Sequence, residues 1–381
     1  MPKFRVSQLA PGHWAGHMRI YHRNCLTLLN SGYSVDLVAH GMGNDSLDPR
    51  LQYHSLGNYG SSTLSWRFYE RYRRSQKTFI IGLRSKADLY HFYSPEFIVW
   101  ATKLRQKTGK PVIFDCMEDF EGYALQRRGV PTVLRRPLAW IVRRQLQFAA
   151  KKCDAVIVAD RGTGRLLQPY AERMVLIHNF PMLPLFPKSE ISVEEKPYDL
   201  VYHGSMPKYH LEACLAIDEV LVTHGHQVRW RFIGQIPEIS WFNRELLARG
   251  IEKRFIRSGL IPHDLIAFEL AKAKIGIIPL PNLPKFQNNI PQKLFEFMAM
   301  GMPVVLSNLP ASQPFVSDGV SGFMVSPEDY TAYAERIICL LSDSDLCRRM
   351  GNEGRRQVEG KYNWEQESKK LLDMYKELLD K

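Results

Sequence analysis

The chain has 381 residues, 45% apolar and 24% charged. That is the balance of a globular protein, and it suits two domains better than one small core. No stretch reaches the ~18 uninterrupted apolar residues that span a bilayer, the opening MPKFRVSQLAPG lacks a secretory apolar block, and six scattered cysteines without a Cys-x-x-Cys pair argue against a zinc or disulfide framework, so the expectation is a cytoplasmic protein. The net charge of +12 is uneven: residues 1–190 hold 28 Lys and Arg against 14 Asp and Glu, whereas residues 191–381 hold 23 against 25, so an anionic partner would be met by the N-terminal half.

In chain order, KFRVSQLAP predicts a strand, PGHWAGH a glycine-bearing loop, MRIYHRNCLTLLNSG a helix and YSVDLVAHG a second strand. KADLYHFY, KPVIFDCMED and CDAVIVAD are short apolar runs ending in polar residues, each after a helical segment. Such alternation implies parallel strands joined by crossovers. HNFPMLPLFPKSEISVEEKP is the best linker candidate, because its prolines interrupt any regular element. The pattern then restarts with YDLVYHGSM, a helix through HLEACLAIDEVL, and strands in QVRWRFIGQ, RFIRSGLIP, AKIGIIPLP, MPVVLSN and GFMVS; WEQESKKLLDMYKELLDK is an amphipathic terminal helix. Two α/β halves place the chemistry in the loops at the carboxyl ends of the strands.

Neither Gly-x-x-x-x-Gly-Lys-Ser/Thr nor Gly-x-Gly-x-x-Gly occurs, and RGTGR (161–165) is expected to be a plain turn. NNIPQKLFEFMAMGMPVV (288–305) is more informative. Pro291 suits the first turn of a helix, whose unpaired N–H groups and dipole favour an anion such as a diphosphate. Glu296 could accept hydrogen bonds from a ribose diol, and Gly301 and Pro303 end the helix.

This segment resembles the donor motif of family-4 glycosyltransferases of the GT-B fold, commonly Glu-x7-Glu followed by a helix and Gly-x-Pro-Val. Further pieces resemble that family in the expected order: RIYHRNCLTLLNSGYSVDLVAHG, DLYHFYSPEFIVWATKLRQKTGKPVIFDCMEDF, VLIHNFP, LVYHGSM, VSDGVSGFMVSPED and YNWEQESKKLLDMY. The resemblance implies an α/β fold of two doubly wound Rossmann-like domains facing a central cleft. The expected division is 1–180 for the basic acceptor domain, 181–197 for the linker, 198–362 for the donor domain and 363–381 for a helix packing back on the first. It also implies a retaining, metal-independent transferase using a nucleotide sugar, in which positioning and leaving-group stabilisation carry catalysis.

Carried over by position, the second glutamate of the motif is Glu296 and the first is Asn288. The arginine that follows the first glycine of the donor domain is replaced by Ser205 after Gly204, leaving Lys208 and Lys293 as phosphate cations. Asn289 and Ile290 complete the donor set. Met117 stands where the pattern has histidine, between Asp115 and Glu118, and Tyr93-Ser94 replaces a His-Asp pair although His91 is kept. Lys208, Asp115 and Glu118 are the catalytic candidates; Gly12, His13, Gly16, His17 and His91 are the acceptor candidates. No metal site is expected, since His17 and His22 lack a partnering carboxylate.

RRGVPTVLRRPLAWIVRRQLQFAAKK carries basic pairs every eight residues, from 127–128 to 151–152, about 80° of drift per step on an α-helix. This reading puts Leu138, Ile141, Val142 and Ala149 inward and Arg136, Arg143, Arg144, Lys151 and Trp140 outward. With WRFYERYRRSQK (66–77), it nominates Trp66, Arg67, Arg71, Arg136, Trp140, Arg143 and Arg144 as contacts to an anionic membrane. A nucleic-acid partner is not expected, because no recognised motif accompanies these residues. The leading expectation is a transferase building a surface glycan on a glycan or lipid-linked acceptor, peripheral at the inner face of the cell membrane. A nucleotide-sugar epimerase of the same architecture, or a non-catalytic glycan- or membrane-binding protein, are the alternatives.

Overall fold

The structure, a computed structural model, describes residues 4–41, 47–58, 64–127 and 129–380, with the backbone alone for 64–68. The chain forms two compact units, Met1–Asn179 with Glu365–Lys381, and Phe180–Trp364.

Unit 1 runs β1 (Arg5–Trp14), a π-helix (Met18–Cys25) that continues as α1 (Leu26–Asn30), β2 (Ser34–His40), β3 (Gln52–Ser55), α2 (Leu64–Ser85), β4 (Leu89–Phe92), α3 (Ile98–Thr108), β5 (Val112–Cys116), α4 (Phe120–Leu125), α5 (Thr132–Lys152), β6 (Ala155–Val158), α6 (Arg161–Leu167) and β7 (Met174–Leu176). The strands form one parallel sheet in the order β3-β2-β1-β4-β5-β6-β7. Its central strands are continuous Val, Ile, Leu and Phe runs, because helices cover both faces. Strand order reverses between β1 and β4, where a doubly wound sheet opens its ligand crevice.

Unit 2 runs β8 (Tyr198–His203), α7 (Lys208–Thr223), β9 (Trp230–Ile233), α8 (Ile239–Ala248), β10 (Phe255–Arg257), α9 (Ile266–Leu270), β11 (Ala273–Ile278), α10 (Pro284–Asn288), α11 (Gln292–Ala299), β12 (Val304–Ser307), β13 (Phe323–Val325), α12 (Tyr330–Ser342) and α13 (Ser344–Gly360). Its six parallel strands are ordered β10-β9-β8-β11-β12-β13, so its switch point lies between β8 and β11. The terminal helix α14 (Trp364–Leu379) belongs to unit 1 from Glu365 onward, where Tyr375 is buried against Gln8 and His91.

Three local expectations change. RGTGR is not a turn but the start of α6: Asp160 caps it by accepting from Thr163 N (2.7 Å). The proline-rich segment after residue 180 is no bare linker, since Phe180 and Phe186 are buried in the core of unit 2. On α5 the buried face is Ala139, Leu146, Ala149 and Ala150, whereas Ile141 points outward beside Trp140.

Candidate functional site

In unit 2, β8 delivers His203 and Gly204 to the switch point. Gly204 has φ +103° and Gly234, at the end of β9, has φ +129°. A Cβ at Gly234 would stand 2.2 Å from the Gly204 carbonyl oxygen, so both turns need glycine to stack. Gly204 N donates to Ile233 O and Gly234 N to Gly259 O, both at 2.8 Å.

α11 begins after Pro291 and puts Lys293 and Glu296 in its first turns. Lys293 Nζ lies 3.7 Å from the centre of the Tyr202 ring and would touch a methyl on Gly204 at 3.6 Å. Burial lowers its pKa to about 7, with the Glu296 charge offsetting part of the shift. Tyr202 Oη is 2.6 Å from His210 Nδ1. His210 is held well below the ordinary histidine value by burial first and by the Lys293 charge second.

Glu296 is buried, yet its carboxylate is not pushed toward the neutral form. His203 Nε2 stands 2.9 Å from one carboxylate oxygen and His263 Nε2 3.6 Å from the other. Burial alone would raise the pKa; the two imidazoles bring it far below the usual carboxylate range. The longer His263 contact leaves lone pairs on that oxygen for an incoming donor.

The other donor candidates divide. Asn288 is exposed, with Nδ2 donating to Pro284 O at 3.4 Å. Asn289 Oδ1 is buried without a hydrogen-bond partner among the described residues, and Ile290 packs on the core of the unit. Ser205 is exposed. Lys208 does not share Lys293's position: its ammonium sits 3.5 Å from Glu212 and over the Trp241 ring at 4.8 Å. Helix α7 starts at Lys208, so that side chain is drawn to a residue one turn along its own helix. Sequence reasoning missed Tyr202, His203, His210 and His263. Only His203 left a local signal, as an imidazole closing an apolar strand just before Gly204.

In unit 1, Gly12, His13, Gly16 and His17 lie where β1 runs out at the switch point, and the π-helix starts directly behind them. π-turns are uncommon and concentrate at functional sites. A Cβ at Gly12 would meet Ser94 Oγ at 2.8 Å and Glu96 Oε1 at 2.9 Å, so glycine lets β1 pass the loop after β4. The His13 and His17 rings meet edge to face at 5.2 Å, and His17 Nδ1 has no partner among the described residues. Burial lowers His13 to about 3 and His17 to about 4, helped by His17 in the first case and by Arg23 and Arg19 in the second. Both rings are therefore neutral near pH 7 and suit hydroxyls better than phosphates.

Asp115 and His91 are both completely buried, and side-chain partners hold each of them. Arg19 Nε donates to Asp115 Oδ2 at 2.8 Å, and His91 Nε2 is 3.5 Å from the same oxygen. His91 Nδ1 lies 2.7 Å from Tyr375 Oη, which accepts from Gln8 Nε2 at 2.8 Å. Burial alone would raise the Asp115 pKa; the Arg19 charge and the bond from His91 bring it below its ordinary value. Arg19 also donates to Ile177 O (3.0 Å) and Asn179 Oδ1 (2.7 Å). Glu118, beyond β5, is exposed, and Met117 beside it is buried.

Of the nominated membrane contacts, the side chains of Trp66 and Arg67 lie outside the described residues, and Arg71 on α2 is half-buried. Arg136, Trp140, Arg143 and Arg144 are exposed on α5, although Arg143 is held by Glu121 at 2.6 Å. Among the described residues no group of three or more His, Cys, Asp or Glu is arranged to hold a metal ion, and no helix is long and apolar enough to cross a membrane.

Residues 16–180 match the family model described as Glycosyltransferase Family 4, and residues 197–343 match that described as Glycosyl transferases group 1. The capsular polysaccharide biosynthesis glycosyltransferase CapM of Staphylococcus aureus is 33% identical over 84 residues, 22% of this chain and 22% of that protein. The matched stretches span only about a quarter of the first curated relatives. Sucrose-phosphate synthase from Thermosynechococcus elongatus superposes with a TM-score of 0.76 at 18% identity, over 99% of this chain and 100% of that one. Anabaena HepE in complex with UDP and glucose does so with a TM-score of 0.74 at 13% identity, over 98% and 99%. With glycosyltransferase models matched in both units and the GT-B fold shared along its length, this chain belongs to family 4 of the GT-B glycosyltransferases.

Proposed function

We propose that the chain is a retaining, metal-independent glycosyltransferase that moves a sugar from a nucleotide-sugar donor to a glycan or lipid-linked acceptor in surface polysaccharide biosynthesis, at the cytoplasmic face of the membrane. The observation that carries this reading is the pairing of Lys293 against Gly204 with Glu296 beneath His203, all at the carboxyl end of β8. The first turn of α11 offers backbone N–H groups to a diphosphate, and Lys293 supplies the charge beside them. Glu296, its carboxylate kept ionised, accepts from the ribose diol. Asn288 and Asn289 take sugar hydroxyls, Ile290 positions them, and Ser205 and Lys208 border the phosphates from the opposite loop.

In unit 1, Gly12 and Gly16 let the chain approach an acceptor closely, and the neutral His13 and His17 orient its hydroxyl. The acceptor oxygen forms its bond to the anomeric carbon on the face from which the phosphate oxygen departs. The hydroxyl proton passes to that departing oxygen. Catalysis rests on placing these groups and stabilising the diphosphate, and Glu118, exposed beyond β5, is the carboxylate proposed to assist. The complex of HepE with UDP and glucose supports a uridine nucleotide as the first donor to try.

Thermal-shift titration with UDP-, GDP- and ADP-sugars tests the reading; stabilisation by none of them would overturn it. Glu296→Gln is expected to weaken nucleotide binding by about 1.5–3 kcal/mol, roughly tenfold or more, by removing charged hydrogen bonds to the diol. Retention is checked by NMR of the product's anomeric configuration, and metal independence by turnover in EDTA.

A further inference from the structure

The outward face of α5 is unlike an ordinary solvated helix face. Val133 (81% exposed), Leu134, Trp140 (58%), Ile141 and Phe148 all project from it. At helical spacing Val133, Trp140, Ile141 and Phe148 share one exposed face, on which Arg144 and Lys151 also lie. The inward face is largely alanine and α5 packs mainly on α4, while its large apolar side chains stay outside. Scattered exposed apolar residues need no explanation, but several large ones gathered on one helix face do.

The charges narrow the partner. Residues 131–152 contain no Asp or Glu. Arg143, on the flank, is neutralised by Glu121 of α4, with Nε and Nη2 donating at 2.8 and 2.6 Å. Arg136, Arg144, Lys151 and Lys152 form no ion pair among the described residues, and the Arg144 guanidinium lies over the Trp140 ring at 5.4 Å. A tryptophan and aliphatic side chains interleaved with these unpaired cations on one exposed face fit a layer that is apolar inside and anionic at its surface.

We infer that α5 is a membrane-surface docking element: its exposed apolar side chains enter the headgroup layer of an anionic bilayer, and Arg136, Arg144, Lys151 and Lys152 contact lipid phosphates. The helix lies in the interface and does not span it. The inference is independent of the donor reading, because its readout is partitioning and not sugar transfer.

The test is flotation of the full chain with vesicles of phosphatidylglycerol and phosphatidylcholine, and with pure phosphatidylcholine. The chain should float with the anionic vesicles alone, less so as salt rises. Arg136→Gln with Arg144→Gln should lower partitioning about fivefold per residue. Trp140→Ser with Ile141→Ser should lower it roughly tenfold or more. These side chains are exposed, so unchanged melting curves will certify folding of both variants. Failure to float with anionic vesicles overturns the inference, as does undiminished flotation of the Trp140/Ile141 variant, which would leave a bare charge effect. Equal flotation with both vesicle types removes the role of the cations. Displacement from vesicles by a single-stranded oligonucleotide would reassign the surface to nucleic acid.

Discussion

The two units treat their polar clusters in opposite ways. In unit 2 a lysine and a glutamate sit at the start of α11, with lone pairs and ammonium protons left over after their internal contacts. In unit 1 the comparable set of Arg19, Asp115, His91, Tyr375 and Gln8 is sealed, and its members bond mainly to one another. The first cluster includes a lysine within reach of solvent; the second is closed off and links the π-helix, β4, β5 and α14, although Arg19 Nη2 and Asp115 Oδ1 keep no hydrogen-bond partner among the described residues. Clusters that each pair a cation with a carboxylate therefore do two jobs, and what separates them is access.

The largest expected effect tests the sealed cluster. Arg19→Met leaves the Asp115 carboxylate buried with only His91 beside it, and should cost about 3–5 kcal/mol in urea unfolding. Nucleotide affinity, measured where the variant is folded, should not change; a large loss would mean that the clusters are not separate in function.

A smaller effect tests the open cluster. Burial brings the Lys293 pKa down to about 7, and in the proposed reading a diphosphate binds its protonated form. Between pH 7 and 9 UDP affinity should fall as pH rises, by up to about tenfold per unit, which is ~1.4 kcal/mol. Lys293→Arg stays charged throughout, so isothermal titration should show that slope vanish. A slope that persists assigns the proton to another group.

The smallest concerns the exterior of unit 1. Arg143→Gln breaks an exposed pair with Glu121 and should change stability by less than about 1 kcal/mol. In flotation it should matter less than Arg144→Gln. Equal effects would show that Glu121 does not withdraw Arg143 from the surface.

Much of the sheet architecture was readable because buried parallel strands need unbroken β-branched and aromatic runs, as in KPVIFDC and CDAVIVAD. The edge strand β3, Gln52–Ser55, escaped notice because an edge needs little apolar content. The start of α11 was legible for a related reason: proline, polar loop and first-turn side chains are all local in sequence. The burial of Asp115 and His91 was not legible, because it depends on Arg19 and Tyr375, which lie 96 and 284 residues away. Helix α5 misled through size. Hydrophobicity favours Ile141 for the inner face, but the face packed mainly on α4 carries the small Ala139, Ala149 and Ala150 instead.

The stacked turns at Gly204 and Gly234 bear on how this chain tolerates change. In the proposed reading position 234 touches no sugar, phosphate or base. Even so, the smallest side chain there collides with the backbone of the turn that carries Gly204 against Lys293. In a saturation library selected for transfer, position 234 should be depleted as strongly as 296, while the exposed Ser205 next to the phosphate cradle accepts many residues. A map of intolerance for this protein would thus record where backbones must pass as faithfully as where chemistry occurs, and the two are told apart only by whether a substitution alters affinity or folding first.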